Sequence, residues 1–506
     1  MSKKNEHVVS MKKELSVTKV TKRGDGQASG GDQDQPAEIT TMEQTSEVRV
    51  TIHEEAIITS WGKKLKKLKD ALAEAAQKQN AEPKIQKVPF LLRDRKNFDN
   101  YYEPRVVALG PYHHGKRKYE QAEKVKLQLA AHFITDSHHD QTNYGETLLK
   151  MVEDKIKELR ECYDEEATKD YGDEVLAWML FVDGCSMLEF IYKYDNLEDI
   201  NIKRDRVAFA EQDMLLLENQ LPYRLLKWLF DKSKIREKFN NSIEAFVKMH
   251  GGEPKVNATE REPLHLLDLL RTRMVRPPSL SSKPGCTQLL DCLWKRRAGR
   301  PRTEPGIHSF RNVQELQAAG IYFRPSDENS LRAISFKPWF QCCGFLNLPK
   351  IKVDDSMGPK FMNMIAYEMC PDFQNDFEVT SYIGFLDSLI DHPDDVKHLR
   401  KKLIVQNLLG SDEEVARLFN EIGTDLVPNN SIYRNVTAQI EDHYKTKWKT
   451  WMTQFFHDHF SSPWTIFAFF GVLLGLGLSG AQTWYAIFSN PSPCDAVCKY
   501  LKTHPG

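Results

Sequence analysis

The change from apolar to polar positions is sharpest in residues 213–223, which read DMLLLENQLPY. An uninterrupted apolar run such as residues 214–217 predicts a segment that is buried on all sides. Pro222 lacks an amide donor and disfavours helical angles in the residue before it. The sequence therefore predicts a helix that stops or kinks at residues 218–220, before a second apolar helix that begins near Leu225.

Three polar residues, Glu218, Asn219 and Gln220, occupy the predicted break. Buried polar groups need partners, and the ends of two helices leave several backbone groups without intrahelical hydrogen bonds. We therefore interpret the three side chains as caps for the helix ends. A catalytic role is the alternative.

A second apolar segment, residues 175–192, contains four residues that stand out. Asp183 and Gly184 interrupt the apolar run, and Glu189 returns a carboxylate about one turn later. Cys185 has large apolar neighbours, which raise the pKa of a thiol and reduce its nucleophilicity. We interpret Cys185 as a packing residue.

A turn is predicted at GPYHHG, which comprises Gly110, Pro111, Tyr112, His113, His114 and Gly115. Adjacent histidines suggest metal binding or acid–base chemistry, but neighbouring side chains on a strand point apart. No carboxylate or cysteine lies at ligand spacing from them. We favour a structural turn whose imidazoles bond to the backbone, because histidine chemistry needs a positioned partner.

Other periodic segments set the predicted fold class. Apolar residues at helical spacing predict helices at residues 119–133 and 147–163. Residues 346–355 alternate apolar and polar side chains like a half-buried strand. The sequence therefore predicts a mainly α protein with a few short β-strands, with a single large helical domain over residues 84–460.

The pattern of apolar residues changes once within the N-terminal 80 residues. Residues 1–53 contain few large apolar side chains, so they cannot bury enough surface to offset the entropy of ordering, and we predict disorder. In residues 54–80, apolar residues recur at alternating spacings of three and four: Ile58, Trp61, Leu65, Leu68, Leu72 and Ala75. This amphipathic helix suits a short coiled coil, an anionic membrane surface, or docking on its own domain.

Residues 463–488 carry the strongest physical signal. They lie in an interval without Asp, Glu, Lys or Arg between Asp458 and Asp495. A helix needs about 20 apolar residues to cross a hydrocarbon core of about 30 Å, so this segment is long enough. The sequence predicts a transmembrane helix, with the lipid bilayer as a partner, and a short tail at residues 489–506.

Small residues form a stripe on the predicted transmembrane helix. Gly471, Gly475 and Ser479 recur at four-residue spacing. Such a stripe allows two helices to approach closely, which predicts a homodimer. The general enrichment of glycine in membrane helices is the alternative explanation.

Charge argues against a global preference for nucleic acid, because 70 Lys and Arg residues balance 71 Asp and Glu residues. A basic insert at residues 271–306 contains KRRAGRPR at residues 295–302, which resembles the core of an AT-hook. We interpret this insert as a solvated loop and do not expect nucleic acid as a partner.

Cysteine spacing and charge also bear on location. The nine cysteines form no CxxC pair or zinc spacing, so we expect mostly reduced thiols, no metal site and no cofactor. The N-terminus lacks the apolar stretch of a signal peptide. Lysines are more numerous before residues 463–488 than after them, which places the large N-terminal domain in the cytosol of a single-pass membrane protein. The sequons at Asn257 and Asn435 argue for the opposite orientation.

Several motifs occur in a fixed order along the chain. They are GPYHHG at 110–115, DGCSMLEF at 183–190, LLLENQLP at 215–222, LHLLDL at 264–269, FMNMIAYE at 361–368 and NLLGSDEEVARLFN at 407–420. Together they resemble the plant domain-of-unknown-function 247 family over roughly residues 84–488. Ser186 departs from the family pattern, which usually has a bulky apolar residue there.

The resemblance implies a single-pass membrane protein with no established catalytic residues. Some grass members of the family are implicated as pollen-side determinants of self-incompatibility. The positions carried over as family motifs are Gly110, Pro111, Tyr112, His113, His114, Gly115, Asp183, Gly184, Cys185, Glu189, Glu218, Asn219, Gln220 and Pro222.

We therefore expect a non-enzymatic, membrane-anchored plant recognition or signalling protein that binds a protein partner of unknown identity. A pollen-side determinant of self-incompatibility is the most specific form of this hypothesis. One alternative is a membrane-bound enzyme that uses His113 or His114 with Glu189 or Glu218. A deep pocket that joins such groups would favour this alternative. The other is a nucleic-acid binder that uses the basic insert.

Overall fold

A computed structural model describes residues 61–73, 82–95, 97–138, 143–200, 202–254, 261–277, 312–339, 343–445, 463–488 and 493–503. The contacts divide the chain into two compact units, residues 1–79 and 80–506. The predictions for residues 1–53, for both ends of the apolar seam and for KRRAGRPR lie outside the described residues.

In the first unit, residues 61–73 form a helix. The four apolar side chains of the seam in this stretch are Trp61, Leu65, Leu68 and Leu72, and each is more than half exposed. The helix therefore presents an apolar stripe, as a coiled coil or a membrane surface would require.

The second unit is mostly helical with a few short strands, which confirms the predicted fold class. Its helices of four or more residues, apart from 3₁₀ turns, are Phe90–Arg93, Phe98–Tyr102, Glu120–Ser137, Tyr144–Asp154, Ile156–Glu161, Glu165–Thr168, Asp173–Tyr192, Arg204–Asp213, Tyr223–Asp231, Arg236–Met249, Leu266–Met274, Val313–Ala318, Met357–Glu368, Glu378–Asp387, Pro393–Lys401, Asp412–Gly423, Arg434–Lys445, Pro463–Phe488 and Pro493–Thr503.

The helix Asp173–Tyr192, here called the central helix, lies inside the N-terminal half of this unit. It packs against Glu120–Ser137, Tyr144–Asp154, Tyr223–Asp231 and Arg236–Met249, so apolar residues on all of its sides are buried. It is long and apolar enough to cross a membrane, but 83% of its most apolar stretch is buried inside the protein. The central helix is therefore a core element.

Gly184 permits close packing of another helix against the central helix. A Cβ atom at this position would lie 2.7 Å from Leu229 Cδ1, which is too close for packed atoms. The glycine that interrupts the apolar run thus makes room for helix Tyr223–Asp231.

Among the residues that the structure describes, five short strands form two small sheets. In the first sheet, β1 (Ile321–Pro325) pairs in parallel with β3 (Cys343–Leu348), and β2 (Ser335–Trp339) pairs antiparallel with the other edge of β3. In the second sheet, β4 (Ile351–Val353) pairs in parallel with β5 (Val405–Asn407). Helices therefore supply most of the core, and the sheets cover part of it.

The register of the first sheet places its buried apolar residues on one face. Leu346 of β3 is paired with Phe323 of β1 and Phe336 of β2, and all three side chains are buried. The strand predicted over residues 346–355 is divided between β3 and β4 at Pro349, which lacks an amide donor for a ladder.

The predicted helix through residues 214–217 is wrong. Helix Arg204–Asp213 ends before the apolar run, Leu217–Asn219 is a single 3₁₀ turn, and Gln220 is extended. The four apolar residues are buried in a turn instead of a helix, because Asn363 Oδ1 accepts the Leu217 amide at 2.7 Å and Gln220 Nε2 donates to the carbonyls of Met214 and Leu216.

Two further boundaries differ from the prediction. The predicted basic loop begins too early, because Arg271 lies within helix Leu266–Met274 and is buried. Within the predicted short tail, Pro493–Thr503 is helical.

Helix Pro463–Phe488 coincides with the predicted transmembrane segment. Its stretch Phe467–Ile487 is long and apolar enough to span a membrane, and none of its most apolar part is buried in the protein. Unlike the central helix, it therefore leaves its apolar side chains exposed.

Candidate functional site

The corner segment, residues 213–222, collects the polar side chains that the sequence singles out. It begins with Asp213, whose Oδ1 accepts the Arg105 amide at 2.8 Å. Asp213 Oδ2 accepts the amides of Val106 and Val107 at 2.7 and 2.9 Å. Burial raises the pKa of Asp213 to about 6, and these amide donors oppose the rise. Asp213 thus fixes a distant extended segment against the end of its own helix.

Asn219 ties the same two segments together. Its Oδ1 accepts the Leu109 amide at 2.7 Å. Its Nδ2 donates to the carbonyls of Val107 and Asp213 at 3.0 and 2.9 Å. The carbonyl of Asp213 lies at the end of helix Arg204–Asp213, so Asn219 supplies a cap that the last turn needs.

Gln220 holds the turn itself and the start of another helix. Its Nε2 donates to the carbonyls of Met214 and Leu216 at 2.7 and 2.8 Å. Its Oε1 accepts the amide of Leu267, in the first turn of helix Leu266–Met274, at 3.0 Å. All three contacts are buried, so Gln220 acts as a cap for two backbone segments.

Glu218 does not cap either helix end, so the capping interpretation is wrong for this residue. Its Oε1 accepts the Val88 amide at 2.8 Å and Arg93 Nη2 at 2.9 Å. Its Oε2 lies 3.8 Å from His113 Nε2. Burial raises the pKa of Glu218, while the Val88 amide and Arg93 lower it. Glu218 therefore anchors the segment around residues 88–93 and faces one of the two histidines.

His113 is only 3% exposed and contacts a lysine instead of the backbone. Its Nδ1 lies 3.0 Å from Lys116 Nζ. Because an ammonium only donates, Nδ1 accepts and the ring proton is assigned to Nε2, toward Glu218. Burial and the nearby lysines lower the pKa of His113 to about 4, so the ring is neutral at physiological pH. The predicted contact of this imidazole with the backbone is wrong.

The structure brings His113 to Glu218 but leaves the other candidates apart. The His114 ring packs edge-on against Tyr171, with ring centroids 6.0 Å apart. Glu189 is fully buried in the central helix, and burial, followed by the charge of Asp136, raises its pKa to about 8. Among the described residues, no hydrogen bond or ion pair joins Glu189 to either histidine.

The GPYHHG turn meets the corner segment through its first glycine. Gly110 has a φ of 67° and Gly115 a φ of 76°, a left-handed conformation that favours glycine. A Cβ atom at Gly110 would lie 3.1 Å from both the Gln220 carbonyl oxygen and Tyr163 Oη. The Gly110 amide donates to Asp183 Oδ2 at 2.8 Å, so three separate motifs converge here.

Lys126 is a buried partner that the sequence analysis missed. Its ammonium donates to Asp183 Oδ1 at 2.5 Å and to the Ala108 carbonyl at 2.9 Å. It also lies 2.8 Å from Glu123 Oε1. Nothing in the local pattern of helix Glu120–Ser137 distinguishes this lysine from its exposed neighbours, so only its burial reveals the role.

A second buried ion cluster lies around Arg271. Its Nη2 lies 2.7 Å from both Glu368 Oε1 and Glu378 Oε2. Glu368 also accepts the amides of Val379 and Thr380, each at 2.9 Å, and so caps helix Glu378–Asp387. Here too a buried charge organises backbone.

The chemistry of the corner segment is therefore mainly that of backbone recognition. Asp183, Asp213, Asn219 and Gln220 direct their polar atoms at amides, carbonyls or a buried ammonium. Burial raises the pKa of the Cys185 thiol well above its usual range, in keeping with a packing residue. Within the described part of the chain, no group of three or more His, Cys, Asp or Glu residues could hold a metal ion.

Comparisons with known proteins give a consistent match. Residues 85–478 match the plant domain-of-unknown-function 247 family, described as "Plant protein of unknown function". The Arabidopsis thaliana UPF0481 protein At3g47200 is 29% identical over 409 residues, which cover 77% of this chain and 83% of the relative. The Arabidopsis thaliana putative UPF0481 protein At3g02645 is 22% identical over 475 residues, which cover 77% of this chain and 88% of the relative. No solved structure matches the chain.

Proposed function

The chain belongs to the plant domain-of-unknown-function 247 family, and on that premise we propose that it is a non-enzymatic recognition protein tethered to a membrane. The observation that carries the proposal is helix Pro463–Phe488. At about 1.5 Å per residue, its 26 residues exceed the about 30 Å of a hydrocarbon core. Every described side chain from residue 467 to residue 487 is exposed, as lipid contact would require.

The contacts of the motif residues support a non-enzymatic role. The side-chain amides of Gln220 and Asn219 form hydrogen bonds with backbone atoms, and Asp183 binds a buried ammonium and a backbone amide. Such side chains preserve the shape of a surface without taking part in a reaction. In its most specific form the proposal is a pollen-side determinant of self-incompatibility, which rests on the family resemblance alone.

Proximity labelling in plant cells tests recognition. A biotin ligase fused to the N-terminus of the full chain should label a reproducible set of membrane-associated proteins. A chain that ends before Pro463 should become soluble under alkaline carbonate wash and lose that set. If the shortened chain stays in the membrane pellet, or labels the same proteins, the tether has no such role.

We further propose that the large domain faces the cytosol. In sealed vesicles whose outer face is the cytosolic face, added protease should then degrade the domain. Treatment with a glycosidase should leave the mobility of the intact protein unchanged. A glycosidase-sensitive domain that is protected in the vesicle lumen would reverse this orientation.

An enzyme is the second candidate, favoured by the approach of His113 Nε2 to Glu218 Oε2 at 3.8 Å. This distance exceeds hydrogen-bond reach, although catalytic contacts can tighten when a substrate binds. The variant His113→Gln decides between the two candidates, provided that its melting temperature matches the wild type. Normal labelling and normal cellular function would favour recognition, whereas loss of cellular function with normal labelling would favour the enzyme.

A further inference from the structure

A cavity of about 270 Å³ lies among three helices, Glu120–Ser137, Asp173–Tyr192 and Arg204–Asp213. Residues 105–109 complete its wall. Its volume is close to the lower end of small-molecule sites, which span about 300–1,000 Å³. Neither His113 nor Glu218 lines the cavity, so it is separate from the pair described above.

The interior of the cavity is apolar. Its buried walls include Leu129, Met187, Phe190, Ile202 and Met214. Ser186 also lines the wall, and its small side chain donates to the Asp183 carbonyl within the central helix at 2.9 Å. These walls suit an aromatic ring or a short alkyl chain, because the transfer of apolar groups out of water is favourable.

The charges on the cavity are all of one sign. Its lining contains Arg105, Lys118, Lys126 and Arg206, and none of the lining residues is acidic. The ammonium of Lys126 is already occupied by the carboxylates and carbonyl described above. The other three cationic residues are exposed and lie at the mouth of the cavity.

The three cations at the mouth differ in their availability. Lys118 donates to the Pro104 carbonyl at 2.7 Å and lies 4.0 Å from Glu103. The Arg105 guanidinium lies over the Phe209 ring, 5.5 Å from its centroid. Arg206 makes no ion pair or hydrogen bond with any residue that the structure describes. Its guanidinium is thus free to bind an anion bidentately.

We propose that this cavity binds a small amphipathic carboxylate. Its aromatic or alkyl body fills the apolar interior, and its carboxylate meets Arg206 at the mouth, with Arg105 and Lys118 adding positive potential. Buried apolar walls supply affinity, and the single sign of charge at the rim selects the anion over a neutral molecule of the same shape.

Isothermal titration calorimetry on the full chain in lipid nanodiscs tests the proposal, with empty nanodiscs as the blank. The probes are 2-naphthoate and the isosteric neutral compound 2-naphthamide. The carboxylate is expected to bind at least fivefold more tightly, and its affinity should fall as salt rises. Oleate is the third probe and distinguishes a free small acid from a membrane-derived acyl chain. We expect it to bind less tightly than 2-naphthoate, and tighter binding of oleate would overturn the preference for a small ligand.

Two variants assign the binding to this cavity. Arg206→Ala should weaken 2-naphthoate about fivefold while leaving 2-naphthamide unchanged, since an exposed ion pair contributes about that factor. Arg204→Ala is the matched control, because this arginine lies on the same helix and its side chain is 86% exposed, but it does not line the cavity. Ser186→Leu should reduce binding of both probes at least tenfold by filling the interior.

Three further results would overturn the proposal. One is the absence of 2-naphthoate binding to the full chain at millimolar concentration. Another is equal affinity for 2-naphthoate and 2-naphthamide. The third is an unchanged affinity for 2-naphthoate in Arg206→Ala. Because Arg206 is exposed, this last test holds even if Ser186→Leu does not fold.

Discussion

The ammonium of Lys126 lies 2.5 Å from the carboxylate of Asp183, and both side chains are almost completely buried. Their contact joins helix Glu120–Ser137 to the central helix Asp173–Tyr192. Asp183 also holds the amide of Gly110, so one buried pair fixes two helices and the GPYHHG turn. Because both charges have lost their water, each depends on the other.

Removing both members of this pair should cost less than the sum of the two single removals. Asp183→Asn removes the buried counter-charge of the Lys126 ammonium and leaves it the partly exposed Glu123 carboxylate, which we expect to cost about 3 kcal/mol of unfolding free energy. Lys126→Met should also destabilise the protein, and the double variant K126M/D183N should lose less than the sum of the two. Urea denaturation followed by circular dichroism measures all three, and strictly additive losses would show that the pair is not coupled.

Gln220 should be essential for the corner segment. Gln220→Ala removes the donor to two buried carbonyls and the acceptor for the Leu267 amide. The Leu216 carbonyl still accepts the Asn219 amide, so the Met214 carbonyl and the Leu267 amide are the two groups that lose their hydrogen bond. Each unsatisfied buried group costs about 1–3 kcal/mol, so we expect a loss of at least about 2 kcal/mol. Gln128→Ala, on the exposed side of helix Glu120–Ser137, is the matched control. A loss in Gln220→Ala no greater than in the control would refute the role.

Stability should depend on pH through Glu189. Burial raises its folded-state pKa to about 8 from an ordinary value of 4.5, so the folded state binds a proton that the unfolded state releases. The contribution of Glu189 is complete below pH 4.5 and is lost as pH rises through about 8.

The variant Glu189→Gln isolates this effect because it cannot ionise. Its stability relative to the wild type should increase steadily from about pH 5 to about pH 8, measured as the difference in melting temperature. A difference that does not change with pH would mean that Glu189 titrates normally in the folded protein.

The glycine stripe should control association within the bilayer. A Cβ atom at Gly471 or at Gly475 would have no other atom within 4 Å, so leucine fits each site in a monomer. In a dimer packed on this stripe, leucine separates the two backbones. The double variant G471L/G475L should therefore reduce the yield of cross-linked dimer in membranes.

Gly477→Leu is the control for the stripe, because two residues along a helix turn the side chain to the opposite face. Its dimer yield should match the wild type. Dimer formation that survives in G471L/G475L and disappears on Leu65→Lys and Leu68→Lys would instead assign association to the N-terminal seam.

Local pattern was sufficient where an element depends only on its own residues. The helical period of residues 119–133 and the charge-free length of residues 463–488 predicted helices that the structure confirms. A helix that crosses a membrane must satisfy its backbone internally and cover itself with apolar side chains. Both requirements are local, and both are readable in the sequence.

The corner segment shows where local pattern is insufficient. The apolar run at residues 214–217 predicted continued helix, yet the helix ends at Asp213. The Leu217 amide donates to Asn363 Oδ1, and the carbonyls of Met214 and Leu216 accept Gln220 Nε2. Asn363 is distant in sequence, and these hydrogen bonds to the backbone outweigh a helix propensity of less than about 1 kcal/mol per residue.

The candidate site residues show the same contrast between local pattern and contacts with distant segments. The sequence singled out Glu218, because polar residues interrupt a buried run there, and His113, because it lies within a glycine-bracketed turn. It offered this pair as one of four combinations, and it carried no sign that Lys126 is buried or that a cavity with a cationic mouth opens nearby. Period and composition specify which face of an element leaves water, whereas the pairing of faces across the chain depends on packing between distant segments, and that packing exists only in the tertiary structure.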